Sequence, residues 1–314
     1  MDLLGIFEKK VAALPAGSYE GGLSAVKLHI DAAIRHFERA KNEPDETLFT
    51  DAVFRCNQAF EGSIKEAYRV LAAKDPNKVR PYDIEQFLEA NDLLKKKVLD
   101  QFTNYRREWR NPATHDYTLD FDEDEALVAI TSVTVFAIVL TDQIIGKVAF
   151  KAAASVAPSH DLSPAEMTAP LLDLVTDKLL SFARSHMANQ EESRSLAQVY
   201  YEFEGVLAGY LSSELSGLAD VNVGLNVRFD HHEADVVVSR GSEKAIIEVK
   251  LTSNRANSRR MINQAVAQSS MFLHEKNVVG AIVFVYSGSE EGEYAVYPAS
   301  GGLGGAIRVI SKQT

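Results

Sequence analysis

The sequence predicts a helical first half followed by an α/β second half, in a chain of 314 residues. Between residues 20 and 150, apolar residues recur every three or four positions, as they do in amphipathic helices. After residue 220 the spacing changes to two, or to short continuous apolar runs, which is typical of strands. Residues 151–170 are rich in Pro, Ala and Ser and lie between the two patterns. We therefore expect domains at 1–150 and 171–314, joined by this linker.

The first half is expected to form four long helices with short connections. They cover about residues 23–37, 46–73, 82–109 and 122–150, and the breaks fall at Pro44, Asp75-Pro76 and Pro112. The fourth helix begins with four acidic residues, which complement the positive end of a helix dipole. This arrangement predicts an antiparallel four-helix bundle.

The second half is expected to begin with helices between Ser163 and about Glu214, because Ser163-Pro164 starts a capping-box pattern. Strands are predicted at 221–229, 234–239, 245–251, 278–286, 294–297 and 306–310. One helix is predicted at 258–275, between the third and fourth strands. The order of helix, three strands, helix and strand describes a compact α/β domain.

Composition limits the classes of function. The content of 46% hydrophobic and 25% charged residues is that of a soluble globular protein, and the single cysteine, Cys56, favours a reducing cytoplasm. The most apolar stretch, residues 126–140, is shorter than the roughly 20 residues that a bilayer requires, so we expect no membrane partner. A net charge of −11 excludes nucleic acid over most of the surface but permits a local basic groove.

The segment 233–250 brings two acids and an amine together. A reversal at Gly241-Ser242 pairs Arg240 with Glu243 and, five steps outward, Asp235 with Glu248. Opposed residues share a face of a sheet, and so do residues two apart on one strand, so Lys250 joins Asp235 and Glu248. The opposite face carries only aliphatic side chains at Val236, Val238, Ile247 and Val249, as expected for a core.

Two carboxylates about 5 Å apart repel each other unless a cation joins them. Oxygen ligands favour Mg²⁺, with Mn²⁺ as the alternative, and Asp235 and Glu248 are the expected metal ligands. Lys250 beside the metal is suited to orienting or deprotonating a water molecule. The chemistry that this set of residues indicates is hydrolysis of a phosphodiester.

These residues resemble the Asp and the Glu-x-Lys element of the PD-(D/E)xK, or restriction-endonuclease-like, superfamily. The resemblance covers about residues 195–298 and implies a mixed central sheet. The usual proline before the Asp is replaced by Ala234. The stretch 200–212 resembles the first core helix of Mrr-like members, which implies Glu204 as a third metal ligand, with Glu202 as its competitor.

The resemblance also implies a nucleic-acid-binding role for the helix after Lys250. Arg259, Arg260 and Gln264 are the expected contacts, although the Mrr-like Gln-x-x-x-Tyr pattern is absent because Gln268 follows Gln264. Residues 250–260 contain four basic residues and no acidic residue, which suits a phosphate groove. DNA is the preferred expectation, with RNA as the alternative.

An arginine and a histidine lie after the third predicted helix, in the sequence RNPATH at residues 110–115. Pro112 disfavours helical geometry at Asn111, so the helix is expected to end at Arg110. Arg110 is suited to binding phosphate, and His115 titrates near neutral pH. The pair is sufficient for RNA cleavage without a metal.

This motif resembles the R-x4–6-H motif of the HEPN superfamily, including an Asn after the Arg. The resemblance covers about residues 20–150. It implies that Arg110 holds phosphate, His115 acts as acid and base, Asn111 supports the geometry, and the domain dimerises.

The combined expectation is a cytoplasmic, homodimeric, metal-dependent nuclease of the kind found among prokaryotic defence effectors. Two alternatives remain open at this stage. In the first, the HEPN-like half is a metal-independent ribonuclease and the second half only binds nucleic acid. In the second, both halves are non-catalytic and the chain is a homodimeric binding protein.

Overall fold

A computed structural model describes residues 2–43, 45–111, 113, 119–187, 196–230, 232–252, 255–287, 293–299 and 306–312. The contacts divide the chain into two units, Met1–Ile145 and Gly146–Thr314. The first unit is helical, and the second combines helices with a six-stranded sheet. The predicted succession of a helical half and an α/β half is therefore confirmed.

The described helices of the first unit are α1 (Leu3–Ala12), α2 (Glu20–Asn42), α3 (Thr47–Leu71), α4 (Pro81–Ala90), α5 (Lys96–Tyr105) and the beginning of α6 (Glu123–Ala154). The core contains a cluster of buried rings in which Phe60 stacks on Tyr105 and also contacts Phe102 and Phe136. Cys56 lies in this core as a buried thiol, and burial raises its pKa. These contacts explain why α3 and α5 are amphipathic.

The prediction of one continuous third helix over 82–109 is wrong. The chain breaks between α4 and α5, where Asp92 adopts a positive φ of 50° and the Asn91 side chain donates to the carbonyl of Phe87. The side chain of Gln143 binds both sides of this turn, accepting from the N–H of Lys95 and donating to the Leu93 carbonyl. A distant side chain thus stabilises a turn that local periodicity does not reveal.

A π-helical turn, Arg106–Arg110, follows α5 directly. The helix was expected to end at Arg110, but Asn111 keeps helical dihedral angles and its N–H bonds to the carbonyl of Arg106, five residues earlier. This wider hydrogen-bond pattern overrides the local preference that a following proline imposes. The expected end of the helix at Arg110 is therefore wrong.

Helix α6 is 32 residues long and begins as predicted with an acidic cap. Asp122 and Glu125 exchange hydrogen bonds between side chain and backbone, as in a capping box. Among the described residues, α6 alone is long and apolar enough to cross a membrane, but 67% of its most apolar stretch is buried within the protein. A buried core helix is consistent with a soluble protein. The predicted linker 151–170 contains the end of α6.

The second unit continues with α7 (Pro164–Thr168), α8 (Leu171–Met187) and α9 (Leu196–Glu214). Its strands are β1 (Val221–Arg228), β2 (Glu233–Arg240), β3 (Glu243–Thr252), β4 (Val278–Ser287), β5 (Tyr294–Pro298) and β6 (Ile307–Lys312), and α10 (Arg255–Phe272) lies between β3 and β4. Each strand and α10 lie within about three residues of their predicted bounds.

The sheet has the order β1-β2-β3-β4-β6-β5. It is mixed, because β3–β4 and β4–β6 are parallel and the other pairs are antiparallel. Helices α8 and α9 cover one face, and α10 covers the other. Both faces are thus buried, which explains why β4 is almost continuously apolar.

Two local features stabilise the helices around the sheet. Helix α9 packs closely against the end of α6, where a Cβ added to Gly205 would lie 2.2 Å from the carbonyl oxygen of Gly146. Near α7, Glu166 accepts from the backbone N–H and the hydroxyl of Ser163 and pairs with Lys178. These bonds lower the pKa of Glu166 to about 2.

Candidate functional site

The hairpin between β2 and β3 has the predicted register. Arg240 pairs with Glu243, and the pairing continues to Val236 and Ile247. Gly241 has a positive φ of 56°, which suits a tight reversal with glycine first. The next step of this register places Asp235 opposite Glu248, where the two strands separate.

The side chains alternate between the faces as predicted. The aliphatic set Val236, Val238, Ile247 and Val249 is fully buried in the cluster beneath α8 and α9. The alternate positions, Asp235, Glu248 and Lys250, therefore lie on the α10 side of the sheet. The structure brings these three residues together.

Glu248 is the most unusual group of this cluster. The residue is 1% exposed, its Oε1 accepts from Lys250 Nζ at 2.5 Å, and its buried Oε2 has no hydrogen-bond partner within the described part of the chain. Burial and the neighbouring Asp235 raise the pKa of Glu248 to about 7, against the opposing effect of Lys250. The negative charge of a buried carboxylate is poorly compensated when one of its oxygens accepts no hydrogen bond.

Asp235 is oriented by the backbone of the adjacent strand. The Val249 N–H donates to Asp235 Oδ2 at 2.8 Å, although Val249 itself points into the core on the other face. The carboxylate of Asp235 thus accepts the hydrogen bond that a backbone carbonyl of the neighbouring strand accepts in a regular sheet. It lies close enough to Glu248 to raise the pKa of that residue.

Helix α9 supplies two further groups. Tyr200 donates its hydroxyl hydrogen to the Val249 carbonyl at 2.9 Å, and Glu204 is 1% exposed one helical turn later. Burial, followed by the charges of Asp235, Glu204 and Glu248, raises the pKa of Tyr200. Tyr200 is thus near enough to all three carboxylates of the predicted metal site for their charges to affect its pKa, whereas Glu202 on the same helix is partly exposed.

Helix α10 approaches the cluster from the other layer. Gln268, which is largely exposed, interacts with the carboxylate of Glu248, and this contact lowers the pKa of Glu248 slightly. Gln264, Arg259 and Arg260 are exposed on the same helix. The glutamine that reaches the acids is therefore Gln268 rather than Gln264.

The donor set fits a hard divalent cation. Within the described ranges, no group of three or more His, Cys, Asp and Glu side chains already has the arrangement of a metal site. However, three carboxylates share the cluster with one ammonium group, and no described residue forms a hydrogen bond with the buried Oε2 of Glu248. An ion such as Mg²⁺ needs only one or two carboxylates and keeps several waters.

The second predicted site, in the first unit, is partly described. Arg110 is 15% exposed in its side chain, and its guanidinium lies 3.9 Å from both Glu61 and the buried Glu85. Burial raises the pKa of Glu85, against the effects of Arg110 and Arg106. A phosphate at Arg110 would compete with these carboxylates.

The other two members of this motif are Asn111, which the structure describes, and His115, which it does not. Asn111 is exposed and accepts from Arg110 Nη1 at 3.2 Å. His115 lies outside the described residues, so the predicted Arg110–His115 pairing stays a prediction.

Sequence reasoning did not assign a role to Tyr200 or to Gln268. Tyr200 lies four residues before Glu204, and such residues share a face of a helix, so this spacing was the available signal. Gln268 is four residues after Gln264, but the flank of α10 that faces Glu248 depends on how the helix is rotated against the sheet. That rotation follows from packing of the whole layer.

Comparisons with known proteins add no relative. No family model matches this chain, and neither the curated proteins nor the solved structures contain a significant match.

Proposed function

We propose that this chain is a metal-dependent nuclease whose second unit hydrolyses phosphodiester bonds of nucleic acid, with DNA as the preferred substrate. The observation that supports this most directly is Glu248. Its carboxylate is buried beside Asp235, and one of its oxygens has no hydrogen-bond partner among the residues that the structure describes. Proteins keep such poorly compensated charges mainly at functional sites.

Each residue has a distinct role in this proposal. Asp235 and Glu248 would hold Mg²⁺ or Mn²⁺, with Glu204 as the third carboxylate, and the ion would supply charge stabilisation and an activated water. Lys250, which is partly exposed beside Glu248, donates to a phosphate oxygen or to the attacking water.

Other residues position these groups or bind the substrate. Gln268 restrains the Glu248 carboxylate, and Arg259 and Arg260 contact the nucleic-acid backbone.

A cleavage assay tests the proposal directly. The full-length protein is incubated with single- and double-stranded DNA and with RNA, in Mg²⁺, Mn²⁺ or EDTA. We expect cleavage in the metals only, and a loss of at least about 100-fold in the Glu248→Gln variant. Glu243→Gln is the matched control, because Glu243 lies on the same strand but is exposed. Full-rate cleavage by Glu248→Gln would defeat the assignment.

A second candidate is a metal-independent ribonuclease in the first unit, of the HEPN kind. It is favoured by the π turn that ends at Arg110, because π turns are frequent at functional sites. RNA cleavage that survives EDTA but is lost in His115→Ala would identify this activity. If neither assay shows cleavage, a non-catalytic homodimeric binding protein is the remaining reading.

The cellular setting belongs to the same proposal. A nuclease joined to a dimerising helical domain suits a cytoplasmic defence effector, and the HEPN-like unit is the expected dimer interface. Sedimentation analysis of the full-length protein tests whether it forms a dimer. A monomeric full chain would remove the dimer from the proposal.

A further inference from the structure

Helix α10 has a second flank, turned away from the carboxylates. With 100° between successive residues of a helix, Arg259, Asn263 and Ser270 lie within about 40° of one another, and Gln268 lies on the opposite side. Gln268 interacts with Glu248. The other three residues line a cleft between α10 and the edge of the sheet.

The opposite wall of this cleft comes from β5 and β6. Tyr297 pairs with Val309 in the antiparallel register, and opposed residues share a face of the sheet. Val309 packs in the core beneath α10, so the ring of Tyr297 faces the same layer while remaining 37% exposed. Ser311 also lines the cleft, two residues after Val309.

The cleft has a volume of about 410 Å³, which lies in the range of small-ligand sites. Its floor is apolar, formed by Ile262, Val266 and Val309, and its rim carries a guanidinium, an amide, two hydroxyls and an aromatic ring. A partly exposed tyrosine supplies a stacking surface, an asparagine amide can bind a base edge, and an arginine binds phosphate. The rim therefore has groups suited to the face of a base, to its edge and to a phosphate.

The local charge also favours an anionic occupant. The sequence from Val249 to His274 contains no Asp or Glu but has four Lys and Arg residues, in a chain whose net charge is −11. Arg259, at the rim, belongs to this acid-free segment. The helix that carries it is about 10 Å across, so the cleft lies within a few nucleotides of the carboxylates on its other flank.

We propose that this cleft binds one nucleotide of a single-stranded segment of the substrate, with the base on Tyr297, the base edge at Asn263 and the phosphate at Arg259. The proposal rests on the nuclease function proposed above and adds a subsite to it. A base within a duplex cannot enter, because its faces are already stacked. The subsite therefore favours single-stranded or locally opened nucleic acid.

Binding in EDTA tests this subsite without requiring cleavage. The affinity of the full-length protein for a fluorescein-labelled single-stranded oligonucleotide is measured by anisotropy. We expect Tyr297→Ala to weaken binding at least about fivefold and Tyr297→Phe, which keeps the stacking ring, to bind like the wild type. Tyr82→Ala is the control, because Tyr82 is an exposed tyrosine of α4 in the first unit. Circular dichroism confirms that each variant is folded.

Photocrosslinking locates the bound base. An oligonucleotide that contains 5-iodouracil is irradiated with the protein, and the crosslinked peptide is identified by mass spectrometry. We expect a crosslink to the β5 peptide that contains Tyr297. Unchanged affinity in Tyr297→Ala, or crosslinks confined to other peptides, would overturn the subsite and would favour a protein partner at this cleft.

The outcomes also separate this proposal from the nuclease assignment. If binding depends on Tyr297 but no cleavage occurs in Mg²⁺ or Mn²⁺, the subsite is supported and the nuclease assignment is rejected. If cleavage depends on the metal but Tyr297→Ala binds with unchanged affinity, the nuclease assignment is supported and the subsite is rejected.

Discussion

Replacing Glu248 by glutamine should stabilise the metal-free protein while abolishing its proposed activity. The carboxylate is 1% exposed, lies beside Asp235, and has one oxygen that accepts no hydrogen bond from any described residue. Glutamine has nearly the same shape, keeps an oxygen to accept from Lys250, and carries no charge. The substitution therefore removes an unfavourable buried charge with little change in packing.

The pKa of Glu248 gives the size of this effect. Its rise from 4.5 to about 7 means that the folded protein holds the proton more tightly than the unfolded chain. The difference of about 2.5 corresponds to about 3 kcal/mol. Because the folded-state pKa is raised, the contribution of Glu248 to stability is fully present below pH 4.5 and is lost as the pH rises through 7. In Glu248→Gln this loss is absent.

The assay is urea denaturation in EDTA at pH 5 and pH 8. We expect Glu248→Gln to exceed the wild type by up to about 3 kcal/mol at pH 8 and by much less at pH 5, whereas Glu243→Gln should follow the wild type. Added Mg²⁺ should stabilise the wild type and not Glu248→Gln, because the folded state alone binds the ion. Equal or lower stability of Glu248→Gln at pH 8 would refute the reasoning.

Three other variants test the packing around the site. Tyr200→Phe removes the hydrogen-bond donor to the Val249 carbonyl, so its free energy of unfolding in urea should fall by about 1 kcal/mol. Its Mg²⁺ binding, measured by calorimetry, should also be weaker. If neither quantity changes, Tyr200 does not position the site. Gly205→Ala places a Cβ 2.2 Å from a backbone oxygen and should lower the melting temperature. A Cβ added at Gly21 has no atom within 4 Å, so Gly21→Ala should raise the melting temperature slightly. Equal effects of the two variants would contradict the close helix contact. Glu166→Gln should be less stable than the wild type at pH 7, and the difference should disappear as the pH falls through about 2, because a lowered pKa stabilises fully above the unfolded value of 4.5 and not at all below the folded value; a pH-independent difference would contradict the ion pair.

The hairpin was predictable in detail because its determinants are local. A glycine that can take a positive φ sets the turn, and alternation along two strands then assigns every side chain to a face. A slip of either strand by one residue would turn Asp235 or Glu248 into the apolar core beneath α8 and α9, so the register has no competitive alternative. Asp235, Glu248 and Lys250 follow from this register.

The third helix of the first unit was not predictable in the same way. Its apolar periodicity continues across the turn near Asp92, and the residue that holds the turn, Gln143, lies about 50 positions away in α6. The π turn before Asn111 is likewise hidden, since it differs from an α-helix only in its hydrogen bonds. A contact distant in sequence therefore holds the turn near Asp92, and the π turn is recognised only from its hydrogen bonds.

The sequence alone determines the order of the elements. It also determines that two acids and an amine share one face of the sheet and that the helix after them lacks acidic residues. These features are predictable because propensity, alternation and turn chemistry act over a few residues. The rotation of α9 and α10 against the sheet is a property of the folded unit. It places Tyr200, Glu204 and Gln268 at the acids and opens the cleft at Tyr297. Such rotations follow from the simultaneous packing of whole layers, which no single segment encodes.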